Sequence, residues 1–244
     1  MIKKAKYICA PSNWMKAYVY YYNKNATIFE NHLLLREHVI KSKKWGYAYN
    51  FNILISSAYT SSFKGFHIAI KALAYLKNEF PDIKLKIAGP HLQKGIRRDG
   101  YINFLKKLIN DNNLNDNVTW LGNLSDEILA NEIRISSLVL LPSYIESYGV
   151  MHAESMYIGT PCVCSYNGGS SYLATDNESS LFFPSGDYIY CASLIKKLLL
   201  DQSFSEYISR NSINRAVQRN DTYKIYNKQI EIYKKVLFLN AKNE

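Results

Sequence analysis

The 244-residue sequence predicts an α/β fold, a doubly wound parallel sheet with helices on both faces. Short apolar runs rich in β-branched residues alternate along the chain with longer stretches of helical periodicity. Most of these runs end near a glycine or a proline, which is typical of strands that lead into loops. Strands that alternate with helices at this spacing indicate a parallel sheet.

Three strands and three helices are predicted within residues 52–135. The strands are expected at 52–59, 83–88 and 118–121, and the helices at 66–80, 96–112 and 125–135. Ser125 is the candidate N-cap of the last of these helices. The first helix is supported by apolar residues on one face, namely Ile68, Ala72, Leu73 and Leu76. In the second helix, Phe104, Leu105 and Leu108 are expected to point inward.

The second half of the sequence repeats this alternation. Strands are expected at 138–141, 162–166 and 181–183. One helix is expected to begin near Gly149, and another is expected over 188–200. Cys162 and Cys164 flank one residue of a strand, so both should face the same side as small core residues. The last predicted helix, 223–238, is amphipathic, with a stripe of Tyr226, Ile230, Tyr233 and residues 236–237. Packing of this stripe on the chain itself is favoured over a membrane surface.

Composition limits the functional classes. The sequence is 48% apolar, enough for one sizeable core, and contains no apolar run long enough to span a membrane. The four cysteines lack metal-ligand spacing, which predicts no metal site and a reducing, cytoplasmic location. The net charge of +10 is assigned first to solubility and second to a peripheral contact with the inner face of an anionic membrane. No nucleic-acid partner is predicted, since no recognised motif accompanies the charge.

Residues 141–169 carry the strongest functional signal. A strand end breaks at Pro142, Glu146 lies in the following polar loop, and a helix that opens near Gly149 carries Glu154. Free backbone N–H groups at a helix N-terminus attract anions such as phosphate. A carboxylate does not bind phosphate, because both groups are negatively charged. Carboxylates beside a phosphate site are better suited to accept hydrogen bonds from hydroxyl groups, such as those of a ribose and a sugar. The pattern therefore predicts a site for a nucleotide sugar.

The remaining candidates lie at the same edge of the predicted sheet. In such sheets, ligands bind beyond the carboxyl ends of the strands, near the point where the strand order reverses. Lys64 follows the first strand, the Gly89-Pro90 turn follows the second, and Gly122 follows the third. Their position agrees with that of the 142–150 loop.

The residues around the two glutamates stand in a recognisable frame. It reads Pro142-Ser143, Glu146-Ser147-Tyr148-Gly149, Glu154-Ser155-Met156 and Gly159-Thr160-Pro161, with seven residues between the glutamates. This frame resembles the signature of the retaining glycosyltransferases of family 4, also called glycosyl transferases group 1. The resemblance implies a GT-B architecture, in which two Rossmann-like domains face each other across a cleft.

The resemblance covers residues 52–221, the C-terminal half of such an enzyme, and implies three parts. Residues 1–49 would be a remnant of the N-terminal acceptor domain with its linker, 50–222 the donor-binding domain, and 223–244 a return helix and tail. It also implies roles. Glu146 would act beside the donor sugar as the catalytic residue, and Glu154 would bind the ribose. The diphosphate and the rest of the donor would be bound by Lys64, the amides of Ser147, Tyr148, Gly149 and Val150, and the turns at Gly89 and Gly122.

The sequence departs from the family pattern at two places. Ser56-Ser57-Ala58-Tyr59 stands where the family has an arginine, and Tyr172 stands where many members have a glutamate. One positive charge is therefore missing from the expected diphosphate site. His152 lies on another helical face than Glu154, so it is expected to be a surface or core histidine of the helix rather than an acid–base partner.

The resemblance implies a metal-independent transferase without a cofactor. It would move a hexose from a nucleotide diphosphate sugar to a saccharide or lipid-linked acceptor, with retention of configuration. The alternative is a nucleotide-sugar binding module without activity of its own, either truncated or completed by a separate acceptor-domain chain.

Overall fold

The computed structural model describes residues 2–47, 50–89 and 96–241. Eight strands lie within these ranges: β1 Tyr7–Ala10, β2 Thr27–Glu30, β3 Asn52–Ser56, β4 Lys84–Ala88, β5 Val118–Gly122, β6 Leu138–Leu141, β7 Cys162–Ser165 and β8 Leu181–Phe183. The described helices are α1 Asn13–Tyr22, α2 Glu37–Lys41, α3 Phe66–Leu76, α4 Ile96–Asp111, α5 Asp126–Ile135, α6 Val150–Ile158, α7 Tyr188–Leu200, α8 Gln202–Arg219 and α9 Thr222–Ala241.

Strands β3 to β8 form one parallel sheet in the order β5-β4-β3-β6-β7-β8. From β3, the chain adds β4 and β5 on one side, and it then adds β6, β7 and β8 on the other. The order reverses between β3 and β6, where a doubly wound sheet opens a crevice at its carboxyl edge. The predicted fold class is confirmed.

Side chains alternate strictly between the two faces of this sheet. Ile53 and Ile55 of β3 enter one hydrophobic core, whereas Leu54 enters the other. In β7, Cys162 and Cys164 share the second core and Val163 points to the first, as the spacing predicts. The buried alternation explains why these strands read as continuous apolar runs, since both faces are covered.

Helices cover both faces. Helices α3, α4 and α7 pack on the first core, and α2, α5 and α6 pack on the second. The predicted inner face of α3 is buried, and Ser125 caps α5 by accepting from the Ile128 amide. The expectation for Phe104 of α4 is wrong, because its side chain is 46% exposed. Its ring stacks on Tyr101 at 6.1 Å, at the flank of the stripe that buries Ile102, Leu105 and Ile109.

Helix α8 was not predicted, and its composition explains the omission. Its buried positions include three serines together with Ile208 and Ala216, so the sequence shows no apolar stripe. Asp201 supplies the N-cap by accepting from the Phe204 amide at 2.9 Å. Two of these serines donate to backbone carbonyls, Ser205 to Leu198 and Ser212 to Ser179.

The predicted inner face of α9 is wrong for three of its residues. Tyr226, Tyr233 and Leu237 are 58%, 56% and 69% exposed, whereas Ile230 and Val236 of the same stripe are half-buried. The buried residues of the helix are Ile225 and Ile232, which lie about 100° around the helix from the two tyrosines. The helix contacts the N-terminal segment, where Asn31 Nδ2 donates to the Ile225 carbonyl at 3.0 Å. Over the ranges that the structure covers, no helix combines the length and apolarity that a bilayer crossing requires.

The segment before β3 is joined to the sheet. Strands β1 and β2 pair in parallel as a separate two-stranded sheet. Further along, Leu35, Val39 and Trp45 enter the second core. The Trp45 indole donates to the Ser136 carbonyl at 2.8 Å and its amide donates to the Ile158 carbonyl at 2.9 Å. The last residues of the proposed N-terminal part, 48 and 49, lie outside the described ranges.

Candidate functional site

A cavity of about 680 Å³ opens where the strand order reverses. Its walls come from the loops after β3, β4, β5 and β6, the first turns of α6, and the segment before α2. They include eight of the predicted site residues, namely Lys64, Gly89, Glu146, Ser147, Tyr148, Gly149, Val150 and Glu154. After β5, the described lining residues are Asn123 and Leu124 rather than Gly122. Pro90, from the predicted Gly89-Pro90 turn, lies outside the described residues.

Glu146, in the loop after β6, and Lys64, in the segment between β3 and α3, form an ion pair at the cavity wall. Lys64 Nζ lies 2.6 Å from Glu146 Oε1, and the two side chains are 17% and 23% exposed. Gly65, next to Lys64, lies against the backbone of Pro142, where the β6 loop begins. A Cβ on Gly65 would lie 2.0 Å from the Pro142 carbonyl oxygen, so only glycine allows the two loops to come this close. Its φ of +69° also favours glycine. The sequence placed both charges at this edge but did not predict that they pair.

The backbone of Glu146 and Ser147 is fixed by the Gly168-Gly169 pair. The Gly169 amide donates to the Glu146 carbonyl at 2.7 Å. A Cβ on Gly169 would lie 1.9 Å from the Ser147 carbonyl oxygen, and one on Gly168 would lie 2.5 Å from the Glu146 carbonyl oxygen. Ser12, from the N-terminal segment, also donates to the Ser147 carbonyl, at 2.6 Å. The two glycines are therefore needed for their loop to lie against the backbone of Glu146 and Ser147. The hydrogen bond from Ser12 also holds this backbone, and the sequence gave no sign of it.

Gly149 is the N-cap of α6, with φ +91°. A Cβ at this position would lie 2.6 Å from Ser170 Cβ. Both the positive φ angle and the close packing against Ser170 therefore require glycine here. A glycine N-cap has no side chain that could accept from the first amides of the helix. Those amides lie at the wall of the cavity, where the helix dipole favours an anion.

Glu154 is completely buried and is held by Arg36. Arg36 Nε lies 2.7 Å from Glu154 Oε1, and Arg36 Nη2 donates to Glu154 Oε2, which completes a two-pronged pair. The remaining nitrogen, Nη1, lies 2.6 Å from Oδ1 of Asp126. The hydrogen bond to Glu154 is the main reason why the pKa of Arg36 is raised. The carboxylate therefore belongs to the cavity wall rather than to a solvated helix surface.

Sequence reasoning missed Arg36. It lies among three leucines and a short helix, with no motif around it. Only the fold brings it to Glu154, which is 118 residues away in the chain. A signal was available in retrospect, since a carboxylate predicted to be near a helix start and inside a crevice requires a cationic or hydrogen-bonding partner.

His152 is a core histidine, one of the two positions that the sequence left open. It is fully buried, its Nε2 lies 2.7 Å from Ser180 Oγ, and its ring packs against Phe182 at 6.0 Å. Burial, and then the charge of Arg219, lower its pKa from 6.5 to about 3. The imidazole is therefore neutral at physiological pH and does not pair with Glu154.

The missing arginine after β3 is not replaced within that loop. Ser57 Oγ donates to the Tyr59 carbonyl at 3.0 Å and closes the turn on itself. In the described part of the cavity wall, the charged residues are Arg36, Lys64, Glu146 and Glu154, so the two cations match the two carboxylates. No cluster of three or more His, Cys, Asp or Glu side chains suited to a metal occurs in the described ranges.

Comparison with known proteins places the chain in context. The model of the family described as "Glycosyl transferases group 1" matches residues 40–215. D-inositol 3-phosphate glycosyltransferase of Mycolicibacterium smegmatis is 30% identical over 151 residues, which cover 62% of this chain and 33% of that enzyme. The match thus spans about a third of that curated relative.

Two solved structures share the fold. Sucrose-phosphate synthase of Thermosynechococcus elongatus has a TM-score of 0.84 at 19% identity, over 98% of this chain and 60% of the other. HepE of Anabaena, in complex with UDP and glucose, has a TM-score of 0.84 at 22% identity, over 94% of this chain and 63% of the other. At these identities, the likeness concerns the fold alone.

Proposed function

This chain belongs to the glycosyl transferases group 1 family, and on that premise we propose that its cavity binds a nucleotide diphosphate sugar for transfer. One observation carries the proposal. The Lys64–Glu146 pair, the amides at the N-terminus of α6 and the buried Glu154 all border one cavity of about 680 Å³. That volume is within the range of ordinary ligand pockets.

Each part of the donor has a proposed partner. The diphosphate would bind to the amides of Ser147 to Val150 and to Lys64, since both attract anions. Glu154 would accept hydrogen bonds from the ribose hydroxyls, and Glu146 would orient the sugar. Leu124, Leu129 and the Gly89 turn offer apolar and backbone surface for the base. Because HepE binds UDP and glucose in the same fold, a uridine diphosphate hexose is the first donor to test.

The proposed reaction breaks the bond between the anomeric carbon and the diphosphate, and it forms a bond to an acceptor hydroxyl oxygen with retention of configuration. The proton of that hydroxyl group would pass to the departing diphosphate. Lys64 and the amides would stabilise the negative charge on the departing diphosphate, and Glu146 would stabilise positive charge at the anomeric carbon. No metal ion or cofactor is invoked in this scheme. The acceptor is proposed to be a saccharide or a lipid-linked saccharide, with the enzyme in the cytoplasm at or near the membrane.

Ligand binding is tested first. We expect UDP, GDP or ADP, or one of their hexose conjugates, to raise the melting temperature, because a ligand that binds only the folded state stabilises it by ~2.7 kcal/mol at a hundredfold excess over Kd. Glu154→Ala should reduce this shift. The matched control is Glu127→Ala, which removes an exposed carboxylate from the first turn of α5. If no nucleotide stabilises the wild type, the donor site is disproved.

Transfer is tested separately with a radiolabelled hexose donor. Glu146→Gln should abolish transfer and retain nucleotide binding, since Glu146 is assigned to the sugar. Activity of the chain alone, compared with activity after a separate acceptor-domain chain is added, decides between a transferase and the alternative of a binding module. Turnover without any added chain would rule out that alternative.

A further inference from the structure

We propose that His67 is a positioning residue, which keeps the loop with Glu146 in place against the segment with Lys64 when a donor binds. The inference rests on the proposed function, because it concerns how Glu146 is held ready for the sugar. His67 lies in the first turn of α3, three residues after Lys64. Neither His67 nor its two tyrosine partners, Tyr101 and Tyr144, is among the described residues that line the cavity. Their effect on a ligand would therefore be indirect.

His67 contacts Tyr144, which lies two residues before Glu146 in the loop after β6. The two rings are nearly parallel, with 14° between their planes and 5.9 Å between their centroids. His67 Nε2 lies 3.3 Å from the Tyr144 hydroxyl oxygen. The same oxygen lies close to Gly186 in the loop before α7, since a Cβ on that glycine would be 3.4 Å away from it. The Tyr144 ring is therefore held between α3 and a second loop.

Tyr101 of α4 holds the other side of the imidazole. Its hydroxyl oxygen accepts from the His67 amide at 3.3 Å and lies 2.8 Å from His67 Nδ1. With this hydroxyl group donating to Nδ1, the proton of the neutral ring is on Nε2 and can be donated to Tyr144. Burial, and then the charge of Lys71, lower the pKa of His67, which favours the neutral ring. The two ring nitrogens thus connect α3 with α4 and with the β6 loop.

The segment with Lys64 and the loop with Glu146 are joined by their backbones and by an ion pair as well as by the rings. The Tyr144 amide donates to the Phe63 carbonyl at 2.8 Å, and Lys64 Nζ lies 2.6 Å from Glu146 Oε1. In the proposed function Lys64 binds the diphosphate, so the ion pair opens as the donor arrives. The contact between His67 and Tyr144 lies outside the described cavity wall, so it remains when the ion pair is broken.

Glu146 can accept hydrogen bonds from the sugar only if its loop stays where the cavity requires it. On the far side of the loop, the Glu146 carbonyl accepts from the Gly169 amide at 2.7 Å. On the near side, Tyr144 holds the loop through its amide and its ring. Without the ring contact the loop is less ordered, and the cost of ordering it is added to ligand binding. We therefore expect weaker binding of the sugar and unchanged binding of the nucleotide.

The variants separate the two nitrogens of His67. His67→Asn retains a polar atom near the position of Nδ1, so it keeps the contact with Tyr101 but is too short to reach Tyr144. His67→Gln extends its amide group toward the position of Nε2 and should restore the contact with Tyr144. Tyr144→Phe retains the ring and removes the hydroxyl group. The matched controls are His38→Asn in α2 and Tyr75→Phe in α3, since both change exposed side chains.

The first readout is hydrogen exchange of the Tyr144 amide in the absence of any nucleotide, relative to the amides of β6. We expect this exchange to be about 3- to 10-fold faster in His67→Asn and Tyr144→Phe, because local opening no longer breaks the hydrogen bond between the two rings. His67→Gln should lie closer to the wild type than His67→Asn does. Both controls should exchange as the wild type does, and a general loss of stability would show in β6 as well.

The second readout is the affinity for UDP, GDP and ADP, each beside its glucose conjugate. For the nucleotide that binds the wild type, we expect the Kd of the glucose conjugate to rise about 3- to 10-fold in His67→Asn and Tyr144→Phe. The Kd of the nucleotide diphosphate should stay within about twofold, since Glu146 is assigned to the sugar. Tyr144→Phe alone carries the test if His67→Asn does not fold.

Four outcomes would overturn the inference while leaving the donor site intact. These are unchanged Tyr144 exchange in both variants, unchanged affinity for the glucose conjugate, an equal rise in both Kd values, and no difference between His67→Gln and His67→Asn. By contrast, a wild type that binds none of the six nucleotides would disprove the proposed function, and with it the role of His67 toward the sugar. The exchange rates would then still show whether His67 holds the loop.

Discussion

At the scale of single residues, the position of Glu146 depends on two neighbouring glycines, Gly168 and Gly169, which have no side chains. Gly168 and Gly169 have no Cβ, and this lets their backbone lie directly against the carbonyl groups of Glu146 and Ser147. The glycine pair can be read from the sequence, but its contact partner cannot. The contact itself could not be predicted, because it joins two loops that only the sheet order brings together.

Gly169→Ala tests this contact. The new methyl group would lie 1.9 Å from the Ser147 carbonyl oxygen, so the loop must move, and we expect a loss of about 1–3 kcal/mol in the free energy of unfolding. Nucleotide-induced stabilisation should fall as well. Gly46→Ala is the control, since nothing lies within 4 Å of its Cβ position. Equal, small effects of both substitutions in urea denaturation would show that the loop is not fixed by Gly169.

His152 gives a pH prediction. Its pKa is 6.5 in the unfolded reference and about 3 in the folded protein, so below pH 6.5 the unfolded chain binds a proton that the folded chain does not. Stability from this group is therefore complete above pH 6.5 and is lost as the pH falls toward 3. Between pH 7 and pH 5 the loss should be ~2 kcal/mol.

The measurement is urea denaturation at pH 7 and pH 5 for wild type, His152→Gln and the exposed control His38→Gln. His32 and His67, whose pKa values are also lowered by burial, contribute equally to all three proteins. We expect the decrease to be smaller by ~2 kcal/mol in His152→Gln and unchanged in His38→Gln. The same decrease in all three would contradict the assignment.

At the scale of elements, helix α9 shows how an amphipathic pattern can mislead. The stripe predicted from the sequence runs through Tyr226, Ile230, Tyr233 and residues 236–237, and Ile225 and Ile232 lie beside it around the helix. In the structure, the isoleucines pack inward and the tyrosines remain at the surface. A tyrosine tolerates exposure because its hydroxyl group stays hydrated, and an isoleucine has no such group.

Replacement of neighbouring residues in α9 tests this orientation. Ile232→Ala should cost about 2 kcal/mol or more, because Ile232 is 5% exposed and its removal leaves a cavity. Tyr233→Ala, one residue further along, should change stability by less than about 0.5 kcal/mol, because Tyr233 is 56% exposed. Hydrogen exchange of the α9 amides beside urea denaturation would show whether the effect is local. A larger cost at Tyr233 would mean that the tyrosine face is the packed one.

At the scale of the whole molecule, the fold class and most of the cavity could be predicted, and the reasons are physical. Strands such as β3 and β7 are covered on both sides, so they stand out as apolar runs, and the helices between them keep their period. The site edge then follows from the rule for parallel sheets. Helix α8 has no apolar stripe, so its sequence pattern did not predict it. Arg36 pairs with Glu154, which is 118 residues away in the chain, so no local pattern predicted this contact.

The ion pair between Lys64 and Glu146 has a consequence for the order in which the proposed donor would engage the two side chains. If Lys64 turns to the phosphates of an arriving donor, it leaves Glu146, and the released carboxylate becomes available to the sugar. A free hexose, which has no phosphate to attract Lys64, would meet a carboxylate that is still paired. Under the proposed function, only a phosphorylated ligand would then release Glu146, and the carboxylate would not be available to sugars that lack a leaving group.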